Sequence, residues 1–86
     1  MESLPIPGKM YFKDFSFDLV TYSVERNSEL IGTVQGLPNK GYIHFLINSD
    51  VKEGDILTTQ TNERFIVRRI DFDTYNGQPE LIKAYY

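Results

Sequence analysis

At 86 residues with no cysteine, the chain has room for one domain, and neither a disulfide framework nor a thiolate metal site can hold it together. A net charge of −3 and a pI near 5.0 argue against phosphate binding as the main task of its surface. Hydrophobic residues at 41%, with six Phe and six Tyr, mark a folded domain; since a chain this short buries only about 60–65% of its unfolded surface, aromatics must dominate a small core.

The first residues, "MESLPIPGKMYF", have neither a basic leader nor an apolar stretch of signal-peptide type, and no apolar run reaches membrane-spanning length. The expectation is a protein that is not secreted by this route and has no membrane partner. Two prolines and a glycine in "LPIPGK" predict an extended N-terminal arm over residues 1–14, followed by a single domain over 15–86. The segment "KMYFKDFSFDLV" is ambiguous by period, and a helix from near Met10 is the alternative reading there.

From Phe17 the pattern turns to β. "FDLVTYSV" and "LIGTVQG" are joined by the turn residues "ERNSE", which predicts a hairpin. "GLPNKG" then breaks the chain before "YIHFLI", an almost wholly apolar strand suited to a central position. In the loop "NSDVKEGD", Gly54 is the residue that adopts a positive φ most easily. "ILTT" is a short strand, "QTNE" a turn, and "RFIVRRIDFDTY" the longest strand. Its apolar residues change phase between Val67 and Ile70, so a bulge or sharp bend is expected at Arg68-Arg69. Asn76-Gly77 predicts a two-residue type I′ hairpin that sets Tyr75 opposite Gln78, Thr74 opposite Pro79, Asp73 opposite Glu80, Phe72 opposite Leu81 and Ile70 opposite Lys83. The fold class is therefore all-β: a small antiparallel barrel or sandwich of about six strands with an extended N-terminal arm.

No catalytic, metal-binding or cofactor-binding constellation emerges. His44, the one histidine, lies inside an apolar strand without a nucleophile or ligand pattern near it, and reads as a packed strand residue. Under the expected register Asp71, Asp73 and Glu80 share one outward face, a solvated acidic surface suited to a partner's Lys or Arg, or to a weakly held cation. Arg64, Arg68 and Arg69 cluster beside the expected bend, where they serve as edge charges or reach a partner carboxylate. Tyr85 and Tyr86 end the chain and require either attachment to the sheet or a docking partner. These eight residues are the interface candidates.

The order of a short hairpin, a middle strand, "SDVKEGDILTTQTNERFIVRRIDFD" and a closing "GQPELIKAYY" resembles the small head-tail joining (head completion or stopper) proteins of tailed bacteriophages and prophages. The resemblance spans residues 19–86 and rests on Gly54-Asp55, Ile56-Leu57, Phe65, Val67 and Ile70. It implies a non-enzymatic structural adaptor of the bacterial cytoplasm or virion that joins head to tail through contacts with a portal, connector or tail protein, and with itself in a ring. The alternative is a small cytosolic β-barrel binding module for a peptide or nucleic acid, with strong nucleic-acid binding disfavoured by the acidic balance.

Overall fold

From Val20 onward β-branched and aromatic residues alternate with polar ones, and the computed structural model, which describes residues 4–86, places seven antiparallel strands there. They are β1 (Val20–Arg26), β2 (Glu29–Pro38), β3 (Tyr42–Leu46), β4 (Ile56–Thr58), β5 (Arg64–Ile66), β6 (Arg69–Tyr75) and β7 (Gln78–Tyr85). The order across the sheet is β5-β4-β1-β2-β3-β7-β6. β5 and β6 follow one another in the chain yet stand at opposite ends of this order, so the sheet curls into a half-barrel. The expected longest strand breaks at Val67-Arg68, where the phase of its apolar residues slips, and this break raises the count to seven.

Bonds at that break draw the two sheet ends together. Val67 donates to the Asp55 carbonyl (2.9 Å) and accepts from the Gly54 N–H (2.8 Å), while the neighbouring Arg68 N–H reaches the Tyr85 carbonyl (2.7 Å). Inside the curl lies the main core of Tyr22, Val24, Ile43, Phe45, Val51, Leu57, Val67, Ile82 and Ala84. Tyr22 and Phe45 meet edge to face at 5.8 Å, the geometry aromatic quadrupoles favour.

The arm is not extended throughout: Gly8–Asp14 form a helix, α1, followed by a 3-10 turn at Ser16–Asp18. This corrects the extended reading of residues 1–14 for their helical part; residues 1–3 lie outside the described residues. The cause is tertiary. Leu37 and Leu81 project from the convex side of the sheet, and a helix brings Phe12 onto them as a second, smaller core, with Leu4, Tyr11, Leu19 and Leu46 around it. Gly8 starts α1 against β7, where an added Cβ would stand 2.8 Å from the Glu80 carbonyl oxygen. No helix among the described residues is long and apolar enough to cross a membrane.

The two tightest hairpins follow turn chemistry. Asn76 and Gly77 both take positive φ (51° and 77°), as a type I′ turn requires, and so do Asn27 and Ser28 (53° and 66°) between β1 and β2. The expected register holds for Tyr75↔Gln78 and Thr74↔Pro79 only. Glu80 is an extra residue, a bulge, so Asp73 pairs with Leu81, Phe72 with Ile82, Asp71 with Lys83 and Ile70 with Ala84. Beyond the bulge every β7 residue is displaced by one place, which reverses which of them face inward.

Gly36 stands where β2 crosses the main core, and an added Cβ would lie 2.6 Å from a Phe45 ring carbon and 2.8 Å from an Ile43 methyl. Gly36→Ala is expected to cost about 1–3 kcal/mol through overpacking, measured as a lower midpoint in urea unfolding.

Candidate functional site

The convex side of the half-barrel is built from cross-strand rows. Register aligns Leu46, Leu81 and Asp73 in one row, His44, Lys83 and Asp71 in the next, and Tyr42, Tyr85 and Arg69 in the third. Four of the eight interface candidates thus come onto one face, and they are not equally accessible.

Arg68 and Arg69 are exposed at the barrel corner and Arg64 is exposed on β5. The Arg69 guanidinium carbon lies 4.2 Å above the Tyr85 ring, a cation–π contact that orients it without neutralising its charge. Tyr85 in turn packs on Tyr42, with ring centroids 5.5 Å apart. Tyr86 is tied in rather than frayed: its N–H donates to the Gly41 carbonyl (3.1 Å), its hydroxyl to the Asn39 carbonyl (3.0 Å), and its ring meets Phe65 at 4.6 Å. Among the described residues the salt bridges involve Arg26, His44 and Lys83, so none engages the corner arginines.

The solvated acidic face of Asp71, Asp73 and Glu80 does not exist as expected. The bulge moves Glu80 out of register with Asp73, and its carboxylate accepts the Gly8 N–H (3.0 Å) at the start of α1. Asp71 is half-buried and accepts from the Phe72 N–H (2.8 Å). Asp73 is buried, 4% exposed, and bonds His44. Among the described residues no cluster of three or more metal-ligating side chains forms.

The Asp73–His44 contact is the main feature that sequence reasoning missed on this face. His44 Nε2 lies 2.7 Å from Asp73 Oδ2, and Asn39 Nδ2 lies 3.5 Å from His44 Nδ1. The Asn39 amide also donates to the Leu37 carbonyl (3.1 Å), which fixes its nitrogen toward the ring. A donor facing Nδ1 makes that atom the acceptor, so the imidazole is neutral with its proton on Nε2, donated to Asp73. Burial lowers the His44 pKa below 6.5, against the opposing pull of Asp73. The Lys83 ammonium stands 3.6 Å from Asp73 Oδ1 and 4.9 Å from the Tyr42 ring centre. Burial alone would depress it, but Asp73, Tyr85 and Tyr42 together outweigh that and hold its pKa above the ordinary lysine value. Tyr11 and Tyr42 close over the imidazole edge to face, at 5.5 and 5.1 Å. The network is sealed from solvent and links three strands to α1.

A second buried carboxylate explains the Gly54-Asp55 turn. Gly54 has φ +88°, and the Asp55 N–H bonds the Lys52 carbonyl (3.1 Å). The Asp55 side chain, 1% exposed, then accepts the Lys52 N–H (2.8 Å) and both arms of Arg26, from Nε and Nη2, at 2.8 Å each. Arg26 Nη2 also reaches Asp50 at 2.9 Å. Burial pushes the Asp55 carboxyl up, but these donors outweigh it and the pKa falls below 3.8. The turn was legible in the sequence, whereas its partner Arg26, 29 residues earlier, carried no local signal.

No protein-family model, curated protein or solved structure matches the chain.

Two outcomes follow from these buried groups. Asp55→Ala, which removes the anchor shared by the turn and Arg26, is expected to lower the free energy of unfolding by on the order of 3 kcal/mol, read by urea titration at neutral pH. For His44, the unfolded imidazole titrates near 6.5 and the folded one lower, so on acidification the unfolded chain takes the proton first. Its contribution is whole above the unfolded value and erodes as pH falls through the interval down to the folded one. Urea midpoints from about pH 8 to about pH 5.5 are expected to decline in the native chain and to be flatter in His44→Gln.

Proposed function

We propose that the chain is a non-enzymatic structural adaptor of a phage or prophage particle, joining head to tail by protein–protein contacts. The observation that carries the reading is an apolar knob on the α1 segment. Phe17 is 101% exposed, with Met10 at 52% and Phe15 at 43% near it in the chain. An exposed phenyl ring gains nothing for the isolated domain, while its burial on a partner is worth about 1.5–3 kcal/mol. The knob is joined to the barrel by Phe12, which plugs the smaller core, and by Gly8 and Leu4, which bond to it at Glu80 and Thr74.

The corner arginines support the same reading. Arg64, Arg68 and Arg69 present positive charge on an otherwise acidic protein, suited to steering an acidic patch of a partner into place. The resemblance to head-tail joining proteins supplies the partners: a portal or connector on one side, a tail protein on the other, and further copies of the chain in a ring. Its Gly54-Asp55, Val67 and Ile70 positions belong to the turn clamp and the barrel wall. The residues that carry the likeness are therefore those that hold the frame.

The test is binding of the purified chain to the portal and tail proteins encoded beside it. Phe17→Ser is expected to weaken one of these interactions by about tenfold or more, while the exposed substitution leaves unfolding stability within about 0.5 kcal/mol. If none of those proteins binds the native chain, the adaptor reading is lost.

A further inference from the structure

β2 is longer on one side than on the other. Residues 29–36 are matched to β1, but on its far side only Gly36–Pro38 are matched, to β3. From Leu30 to Gln35 that far edge has no strand beside it, and among the described residues no loop backbone bonds to it. Such an edge is a ready template for another strand, and proteins commonly blunt it with charge, proline or a covering segment. The outermost strands, β5 and β6, are blunted. β5 carries Arg64 beside Glu63, and β6 carries Arg69, Asp71 and Asp73 and is covered at Thr74 by the Leu4 N–H, 2.6 Å from its carbonyl. β2 holds no charge between Glu29 and Lys40, and its Leu30 and Ile31 are 70% and 40% exposed. Its one irregularity is a bulge at Ile31, after which pairing to β1 runs regularly from Gly32 to Gly36.

We propose that this edge pairs with a second copy of the chain, β2 antiparallel to β2, with Thr33 opposite itself. Neighbouring pairs in an antiparallel ladder alternate between hydrogen-bonded and non-hydrogen-bonded types, so a two-fold axis must pass through a residue facing its own copy. Thr33 is the residue that suits. Centring there uses residues 31–35, whereas Gly32 would draw the bulge deep into the ladder and Val34 would run the second strand into β3. The pairs are then Thr33 with Thr33, Gly32 with Val34, and Ile31 with Gln35. No like charges oppose one another, and a threonine pair is among the favourable ones. Leu30 of each copy would fall opposite Gly36, whose far side Phe45 already fills, so the new ladder ends at Ile31, where the bulge bends the strand aside. The result is an isologous dimer with one sheet continuous through both barrels. It does not depend on the adaptor reading, which uses the Phe17 knob and a ring of copies formed on the particle, whereas this dimer is a property of the free chain.

The test is sedimentation equilibrium of the native chain from micromolar to millimolar concentration, with three variants. The native chain is expected to reach a dimer and stop there. Thr33→Lys, which sets two ammonium groups face to face, is expected to raise the dissociation constant by about tenfold or more, with the melting temperature unchanged when both proteins are diluted to the monomer. Ile66→Lys, on the β5 edge, is expected to dimerise as the native chain does. Thr33→Cys is expected to form a disulfide-linked dimer on mild oxidation, since opposed residues in such a ladder lie about 4.5–5.5 Å apart, and the native chain has no cysteine to compete. A native chain that stays monomeric or grows into larger species overturns the proposal. So does a Thr33→Lys protein that still dimerises, or a Thr33→Cys protein that fails to cross-link.

Discussion

The fold depends on a corner of two residues. At Val67 the chain is still bonded to the Gly54-Asp55 turn at one end of the sheet, and at Arg68 it is already bonded to β7 at the other. A backbone can serve both ends only if the sheet has curled far enough to bring them within a residue of each other. The curl encloses Tyr22, Phe45 and Leu57, each almost wholly buried. A flat sheet of these strands would leave that face in water. Sharp bends of this kind close small barrels, and here the bend also sets where β6 begins.

Around that corner the chain buries two carboxylates, and each has donors. Asp55 is held by Arg26 and the Lys52 N–H, and Asp73 by His44 with Lys83 beside it. Among the described residues no buried side-chain polar atom is left without a partner, the condition under which such networks avoid a heavy desolvation cost. Their placements differ. The first ties the hairpin tip of β1 to the turn before β4, and the second ties β3 to β6 across β7. The first continues the β1–β4 ladder by one place past Glu25 and Ile56, whereas the second spans strands that no backbone ladder joins directly and so locks the curvature.

What the sequence made legible was local. Asn76-Gly77, the positive φ at Gly54 and the phase slip in "RFIVRRIDF" each act through a few neighbouring residues, and each is present in the structure. What it hid was decided at a distance. The bulge at Glu80 has no marker in "NGQPEL", because the residue is engaged with Gly8, 72 positions away. That displacement in turn carried Asp73 from an expected solvent face into contact with His44. The helix at Gly8–Asp14 was half legible: the period of "KMYFKDFSFDLV" left a helix from near Met10 open, two prolines argue for extension locally, and the apolar convex patch at Leu37 and Leu81 supplies the deciding force. His44 was rightly taken for a packed residue, yet its partner could not be named while the register was off by one. Of the interface candidates, the arginines are exposed as an interface needs, while Asp73 and Glu80 serve the interior and the helix start.

The two cores are unequal, and that inequality shapes how the molecule breathes. The inner one gathers nine buried residues from strands and closing loops, whereas the layer beneath α1 has three. A lobe secured so lightly can lift away while the barrel stays shut, a sub-global opening well below the free energy of complete unfolding. Such an excursion would let water reach the imidazole of His44, which Tyr11 otherwise covers. The domain is therefore best pictured as a drum with a lightly pinned cover.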